Sequence, residues 1–182
     1  MNETLPAIYI IVLLVLLSAA GIFVFRQVWR TRRNEGRLSQ LQSKLRSEEG
    51  TPQDFYELGS IYLQKKLFVQ ASKVLQRALK GKGIEPENRA LAYNALGYAY
   101  IAQEQTDLAI RQYKEAVKLY PDYTIAWNNL ADAYERKSLT AQAIDAYEHT
   151  LALDPSNSVA KRRVASLRKR IAPNKPVDPA SS

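Results

Sequence analysis

Side chains that commonly carry covalent or metal chemistry are sparse in this chain. Its 182 residues include no cysteine, which excludes disulfides, thiolate nucleophiles and cysteine metal sites. The single histidine, His149, is one imidazole with no ligand cluster around it. It reads as a surface or helix-packing residue rather than a metal ligand. The glycine pair Gly81 and Gly83 lacks the phosphate-cradle spacing and its Lys-Ser/Thr ending, so it reads as a loop. Carboxylates are plentiful, but none is paired in a way that marks acid–base catalysis. These observations predict no enzyme, no cofactor and no metal.

The remaining chemistry is that of cations. The formal net charge of +8 is unevenly spread. Residues 51–157 hold 12 basic and 13 acidic side chains, while residues 26–50 hold seven basic against three acidic. Residues 158–182 hold seven basic against one acidic. The first cluster, Arg26, Arg30, Arg32 and Arg33 with Trp29, suits a membrane interface. There each cation near anionic headgroups contributes about 1 kcal/mol. The second, Lys161, Arg162, Arg163, Arg168, Lys169 and Arg170, could face lipid, an acidic partner or nucleic acid. As charge runs usually are, it is read as a solvated helix face. Nucleic acid is disfavoured, because aromatic residues do not interleave with the cations.

The elements that position these charges follow from the apolar pattern. Residues 5–25 form an uncharged run of 21, and about 20 apolar residues cross a bilayer as a helix. Ser18-Ala19-Ala20 resembles a cleavage site. However, no Lys or Arg precedes the run, and the apolar stretch continues past that site into a basic cluster. A retained anchor is therefore expected rather than a cleaved signal. With Glu3 upstream and arginines downstream, positive residues place the remainder of the chain on the cytosolic or stromal side. Leu38, Leu41 and Leu45 share one helical face in a basic juxtamembrane stalk, residues 26–51. Gly50-Thr51-Pro52 punctuates its end.

Beyond the stalk, the sequence repeats. Tyr93, Leu96, Gly97, Tyr100, Ala109, Tyr113, Ala116 and Pro121 recur 34 residues later as Trp127, Leu130, Ala131, Tyr134, Ala143, Tyr147, Thr150 and Pro155. A weaker copy comprises Phe55, Leu58, Gly59, Tyr62, Ala71, Leu75 and Ala78, with four extra residues before the next repeat. Large residues at spacings of three, four and seven share one helix face. Small residues let paired helices approach closely, and the prolines discourage continuation of each second helix. The period and the residue types resemble the tetratricopeptide repeat, a stacked helix pair.

The expected fold is therefore all-α. A single N-terminal transmembrane helix (residues 1–25) and stalk (26–51) precede a three-repeat tetratricopeptide α-solenoid (52–89, 90–123, 124–157). A C-terminal capping helix (158–171) follows, capped by Ser156 or Asn157. Residues 172–182, with three prolines, are expected to be a disordered tail.

The tetratricopeptide resemblance also implies where a partner binds, because the first helix of each pair lines a groove. Carried across, that geometry selects Gln53, Tyr56, Ser60 and Leu63 in the first repeat. It selects Leu91, Asn94, Tyr98 and Ile101 in the second, and Ile125, Asn128, Asp132 and Glu135 in the third. Asn94 and Asn128 could grip a peptide backbone, because an amide both donates and accepts. Tyr56, Tyr98 and Ile101 would make an apolar floor. Leu91 and Ile125 could equally be core. The lysine/arginine clamp of chaperone-binding members is not matched, since Tyr56 and Ser60 stand where it would begin and Ala95 and Asn129 occupy later positions.

The opening Met1-Asn-Glu-Thr-Leu-Pro-Ala-Ile-Tyr-Ile10, the exit Phe25-Arg-Gln-Val-Trp-Arg-Thr-Arg-Arg33 and three repeats resemble the photosystem I assembly-related family of cyanobacteria and algal plastids. The resemblance covers nearly the whole chain. It implies a thylakoid-anchored, non-catalytic scaffold whose protein partners are photosystem I subunits or assembly intermediates. The alternative expectation is a general membrane-tethered adaptor in secretion, envelope assembly or protein targeting, at a bacterial inner membrane.

Overall fold

The computed structural model describes residues 4–46 and 50–171, with the side chains of 4–7, 30–34 and 46 outside the description. The described residues form eight helices and no strand. Two units are distinct, one within residues 1–49 and one within 50–182.

The first unit is a single helix, α1 (Thr4–Arg46). It runs unbroken from the apolar run through the basic stalk, so the boundary at residues 25 and 26 is one of composition, not of secondary structure. Pro6 falls in the first turn, where its missing N–H costs nothing. No further proline follows until Pro52. Within α1, Ile8–Trp29 is long and apolar enough to cross a membrane. The Phe25 and Trp29 rings stack 6.5 Å apart one turn from each other. The side chains of Arg30, Arg32 and Arg33, expected at the interface, lie outside the described residues.

The second unit begins with α2 (Pro52–Gln64). Thr51 caps it: Asp54 N–H donates to Thr51 Oγ1 at 3.2 Å, and Thr51 N–H donates to Asp54 Oδ2 at 2.9 Å. This reciprocal pair satisfies two helix-end donors. Then come α3 (Phe68–Lys80), α4 (Pro86–Ile101), α5 (Thr106–Leu119), α6 (Thr124–Arg136), α7 (Thr140–Leu153) and α8 (Ser158–Ile171). Asn157 Oδ1 accepts from Ala160 N–H at 3.0 Å and caps α8, while Ser156 binds Asp154 instead.

Each pair turns by one device. Lys66, Glu104 and Ser138 all adopt φ near +60°. In each turn the next residue's N–H reaches back across the turn: Leu67 to Tyr62 O, Gln105 to Tyr100 O and Leu139 to Tyr134 O, at 2.8 to 3.0 Å. This is a Schellman closure. The carbonyls of Leu67, Gln105 and Leu139 then accept from Ala71, Ala109 and Ala143 and open the second helix. One residue thus ends one helix and starts the next, which is why no polar cap is needed at α3, α5 or α7.

The core repeats with the same period. Ala71, Ala109 and Ala143 are wholly buried, as are Ala78, Ala116 and Thr150. Leu75, Tyr113 and Tyr147 fill the same position in successive repeats and are buried. Gly97 faces Tyr113 so closely that an added Cβ would lie 2.6 Å from the ring. The extra four residues between α3 and α4 form a surface connection. There Gly83 takes φ +71° and Arg89 donates to Gly81 O at 3.1 Å.

Candidate protein-binding groove

The first helices touch one another across the array, α2 against α4 and α4 against α6. They therefore form one layer, and their faces carry the residues selected from the sequence. On α4, Asn94, Tyr98 and Ile101 follow at i, i+4 and i+7 and share a face. Tyr98 is 50% exposed and meets Phe68 edge-on at 6.3 Å. Ile101 is half-buried against the core. On α2, Tyr56 and Leu63 also pack partly on the core. Gln53 is exposed, and Ser60 donates within its own helix to Tyr56 O at 3.0 Å. Leu91 is half-buried, whereas Ile125 is 61% exposed and belongs to the surface.

The two asparagines differ. Asn94 Nδ2 donates to the Tyr123 hydroxyl at 3.1 Å, and Asn94 Oδ1 accepts from Asn129 Nδ2 at 2.9 Å. Its amide therefore bridges the second and third repeats. Asn128 Oδ1 is buried and has no hydrogen-bond partner among the described residues. The 34-residue period explains this. Positions 157 and 163 of the capping segment correspond to Tyr123 and Asn129, and they hold Asn157 and Arg163. Asn157 caps α8, and Arg163 turns to Glu135 at 3.3 Å.

The two acidic side chains selected from the sequence, Asp132 and Glu135, are also engaged. Asp132 pairs with Arg136 one turn on at 2.8 Å, an exposed pair. Glu135 has a side chain only 17% exposed. It accepts from Arg163 and from the Tyr147 hydroxyl at 3.4 Å, and Arg170 lies 4.0 Å away. Glu135 thus ties α6 to α7 and α8. Burial pushes the Tyr113 hydroxyl well above its ordinary range, with the Asp132 charge adding to the shift. Burial does the same at Tyr147, with Asp132 and Glu135 both adding. Tyr123 is raised chiefly by burial and also by nearby Tyr56, a shift that its bond to Asn94 opposes.

The sequence did not reveal Tyr120 and Tyr123, whose rings stack at 5.7 Å. Both lie in the connection between α5 and α6, outside the first helices. His149 stacks on Trp127 at 4.2 Å and 15°. Arg77 covers Phe55 at 4.3 Å in the equivalent position of the first repeat. His149 is thus a helix-packing residue.

Similarity to known proteins agrees with this architecture. The tetratricopeptide repeat family matches residues 94–158. Among solved structures, MamA superposes with a TM-score of 0.70 at 22% identity, covering 78% of this chain and 81% of that one. YrrB, described as having an unusual peptide-binding site, gives 0.67 at 18% identity over 77% of this chain and 70% of that one. At such identities these likenesses show the fold alone. Among sequences, PYG7, a chloroplastic tetratricopeptide protein of Arabidopsis thaliana, is 38% identical over 63% of this chain and 38% of its own length. The ycf37 protein of Guillardia theta is 34% identical over 69% of this chain and 71% of its own. That of Cyanophora paradoxa is 36% identical over 69% and 73%. At this identity and coverage the chain belongs to the ycf37 family, built on tetratricopeptide repeats.

Proposed function

We propose that this protein is a membrane-tethered, non-catalytic scaffold that binds protein partners through the face of α2, α4 and α6. We further propose that it assists photosystem I assembly or stability from the cytosolic or stromal side of the thylakoid. The observation that carries the reading is the pairing of a 22-residue apolar helical segment, Ile8–Trp29, with a repeat array whose first-helix face exposes Tyr98 and Ile125. The resemblance of both N-terminal motifs to the photosystem I assembly-related family supplies the partner class. The chloroplastic label of PYG7 fits the same compartment.

Tethering makes modest affinity sufficient. Confining array and partner to one membrane raises their effective concentration, toward millimolar when the link is short. Groove contacts of micromolar strength then hold a nascent subunit. Asn128 and Tyr98 are the side chains proposed to meet the partner, while Asn94 holds the two repeats in register.

The test is crosslinking capture from solubilised membranes, comparing the native chain with Tyr98→Ala plus Asn128→Ala. Photosystem I subunits should crosslink to the native chain and be reduced at least fivefold in the variant. Gene deletion should lower photosystem I relative to photosystem II. Unchanged photosystem ratios under several light regimes, with capture of secretion or envelope components instead, would favour the general adaptor.

A further inference from the structure

We propose that the outer face of α8 docks on an anionic lipid surface, held by charge and without entering the bilayer. The proposal is separate from the groove and rests on the tethered reading only for keeping lipid within reach. It starts from what packing leaves uncovered on α8. Ala160, Val164 and Leu167 are buried, and the helix packs on α7. Its remaining surface carries six cations and no carboxylate. Neighbouring acids neutralise part of that charge: Arg163 and Arg170 turn to Glu135, and Arg168 to Glu148. Arg162 and Lys169 are exposed and make no ion pair among the described residues. Ser166 stands four residues after Arg162 and three before Lys169, so all three share one face. Val159, 44% exposed, extends the same face by one turn.

Two ordinary explanations do not account for this face. A helix dipole favours cations in the last turn, where Lys169 and Arg170 stand, but Arg162 lies in the second turn. Packing requires neither Arg162 nor Lys169, because both point away from the buried stripe.

The arrangement fits lipid better than an acidic protein segment. Recognition of a particular carboxylate relies on arginines held in a fixed fork geometry. The arginines that have carboxylate partners here, Arg163, Arg168 and Arg170, are engaged with this chain's own acids. What remains is a convex row of unpaired cations around small Ser166 and Ala165, which a diffuse layer of anionic headgroups can approach closely. Insertion is opposed, because interfacial helices bury an apolar face in lipid and that of α8 is already spent on the array. Each cation near an anionic surface strengthens binding about fivefold. Two such cations bind weakly by themselves, and the link to the apolar helix supplies the effective concentration that makes the contact count.

The chain contains no cysteine, so Ser166→Cys creates a single labelling site on this face. The test places a donor fluorophore there, incorporates the full chain into lipid nanodiscs and puts the acceptor on lipid headgroups. Energy transfer should rise when about 30% of neutral phosphatidylcholine is replaced by phosphatidylglycerol. The rise should vanish in about 1 M NaCl, where the Debye length is about 3 Å. Arg162→Gln plus Lys169→Gln should lower the ratio of docked to free α8 about 25-fold and abolish most of the rise, with helicity unchanged by circular dichroism. Equal transfer in neutral and anionic discs, a rise that survives the double substitution, or one that survives salt would each overturn the proposal. Shielding of the label by added polyglutamate, with no response to anionic lipid, would assign the face to an acidic protein instead and also overturn it. Co-elution with neutral discs reports the anchor separately. A chain that fails to co-elute with them, yet binds anionic discs through Arg162 and Lys169, would keep this proposal and lose the tether.

Discussion

Asn94 and Asn128 occupy the same position in successive repeats, yet they differ in what removal would do. Asn94 joins Tyr123, the last residue of its own repeat, and Asn129 in the following one. Asn94→Ala leaves those half-buried groups without partners and should cost about 1–2 kcal/mol. Asn128 Oδ1 has no such partner, so Asn128→Ala should change stability by less than about 0.5 kcal/mol. Urea unfolding followed by circular dichroism separates the two, and equal losses would contradict the asymmetry. That both asparagines hold the same position on the first helices was legible from the repeat register. The engagement of Asn94 was not, because its partners lie 29 and 35 residues away. Only the packed array brings them together. The buried tyrosines carry a second residue-scale expectation. Burial raises the folded-state values of Tyr113 and Tyr147 above the unfolded value. Below pH about 10 both states hold the proton, and the tyrosines' contribution is fully present. As pH rises beyond that, the unfolded state releases protons first, and stability falls. Unfolding free energy measured from pH 8 to 11 should therefore be level and then decline, more shallowly in Tyr147→Phe. A flat profile to pH 11 would show that these hydroxyls titrate normally.

At the scale of elements, the pattern of large and small residues announced paired helices, because periods of 3.6 and 34 are both written in side-chain size. Closure of the pairs was hidden. Lys66, Glu104 and Ser138 hold left-handed backbone, where glycine is the usual occupant. Without glycine, the sequence offered no sign of the turn. Each position stores strain that glycine would relieve, partly offset by glycine's greater freedom in the unfolded chain. Lys66→Gly, Glu104→Gly and Ser138→Gly should each raise stability by about 0.5–1 kcal/mol. The three sites share no partner and belong to different turns, so their effects should add. Thermal unfolding of the single and triple variants checks this. A triple variant no more stable than the native chain would mean that the side chains contribute more than their backbone costs. The helical spacer invites a similar comparison. Leu38, Leu41 and Leu45 marked a helical face in the stalk, and composition set a boundary between anchor and stalk at residues 25 and 26. Backbone hydrogen bonding does not sense the change from apolar to basic side chains, and α1 continues through it to Arg46.

For the whole molecule, the decisive feature is where the charge is placed. The repeats are close to neutral, and the cations gather just after the apolar run and at the C-terminal end. A uniform distribution would predict nothing about sidedness. This one predicts a side for any span, because cations within some 15–20 residues of a span's end set its orientation. Arg26, Arg30, Arg32, Arg33 and Arg37 follow the apolar run, while only Glu3 precedes it. If α1 spans the bilayer, the chain should stay with membranes through an alkaline carbonate wash. In sealed vesicles with the cytosolic or stromal face outward, added protease should digest the repeats. Changing all five arginines to glutamine removes the bias without altering the length of the apolar run. That variant should remain carbonate-resistant, while a fraction of its repeats becomes protected from protease. The two readouts isolate separate causes, since burial of apolar side chains retains the helix and the arginines choose its direction. Release of the native chain by carbonate would remove the anchor altogether. Protection of the native repeats from protease would keep the anchor and reverse its orientation, leaving the array on the side opposite to the one proposed above.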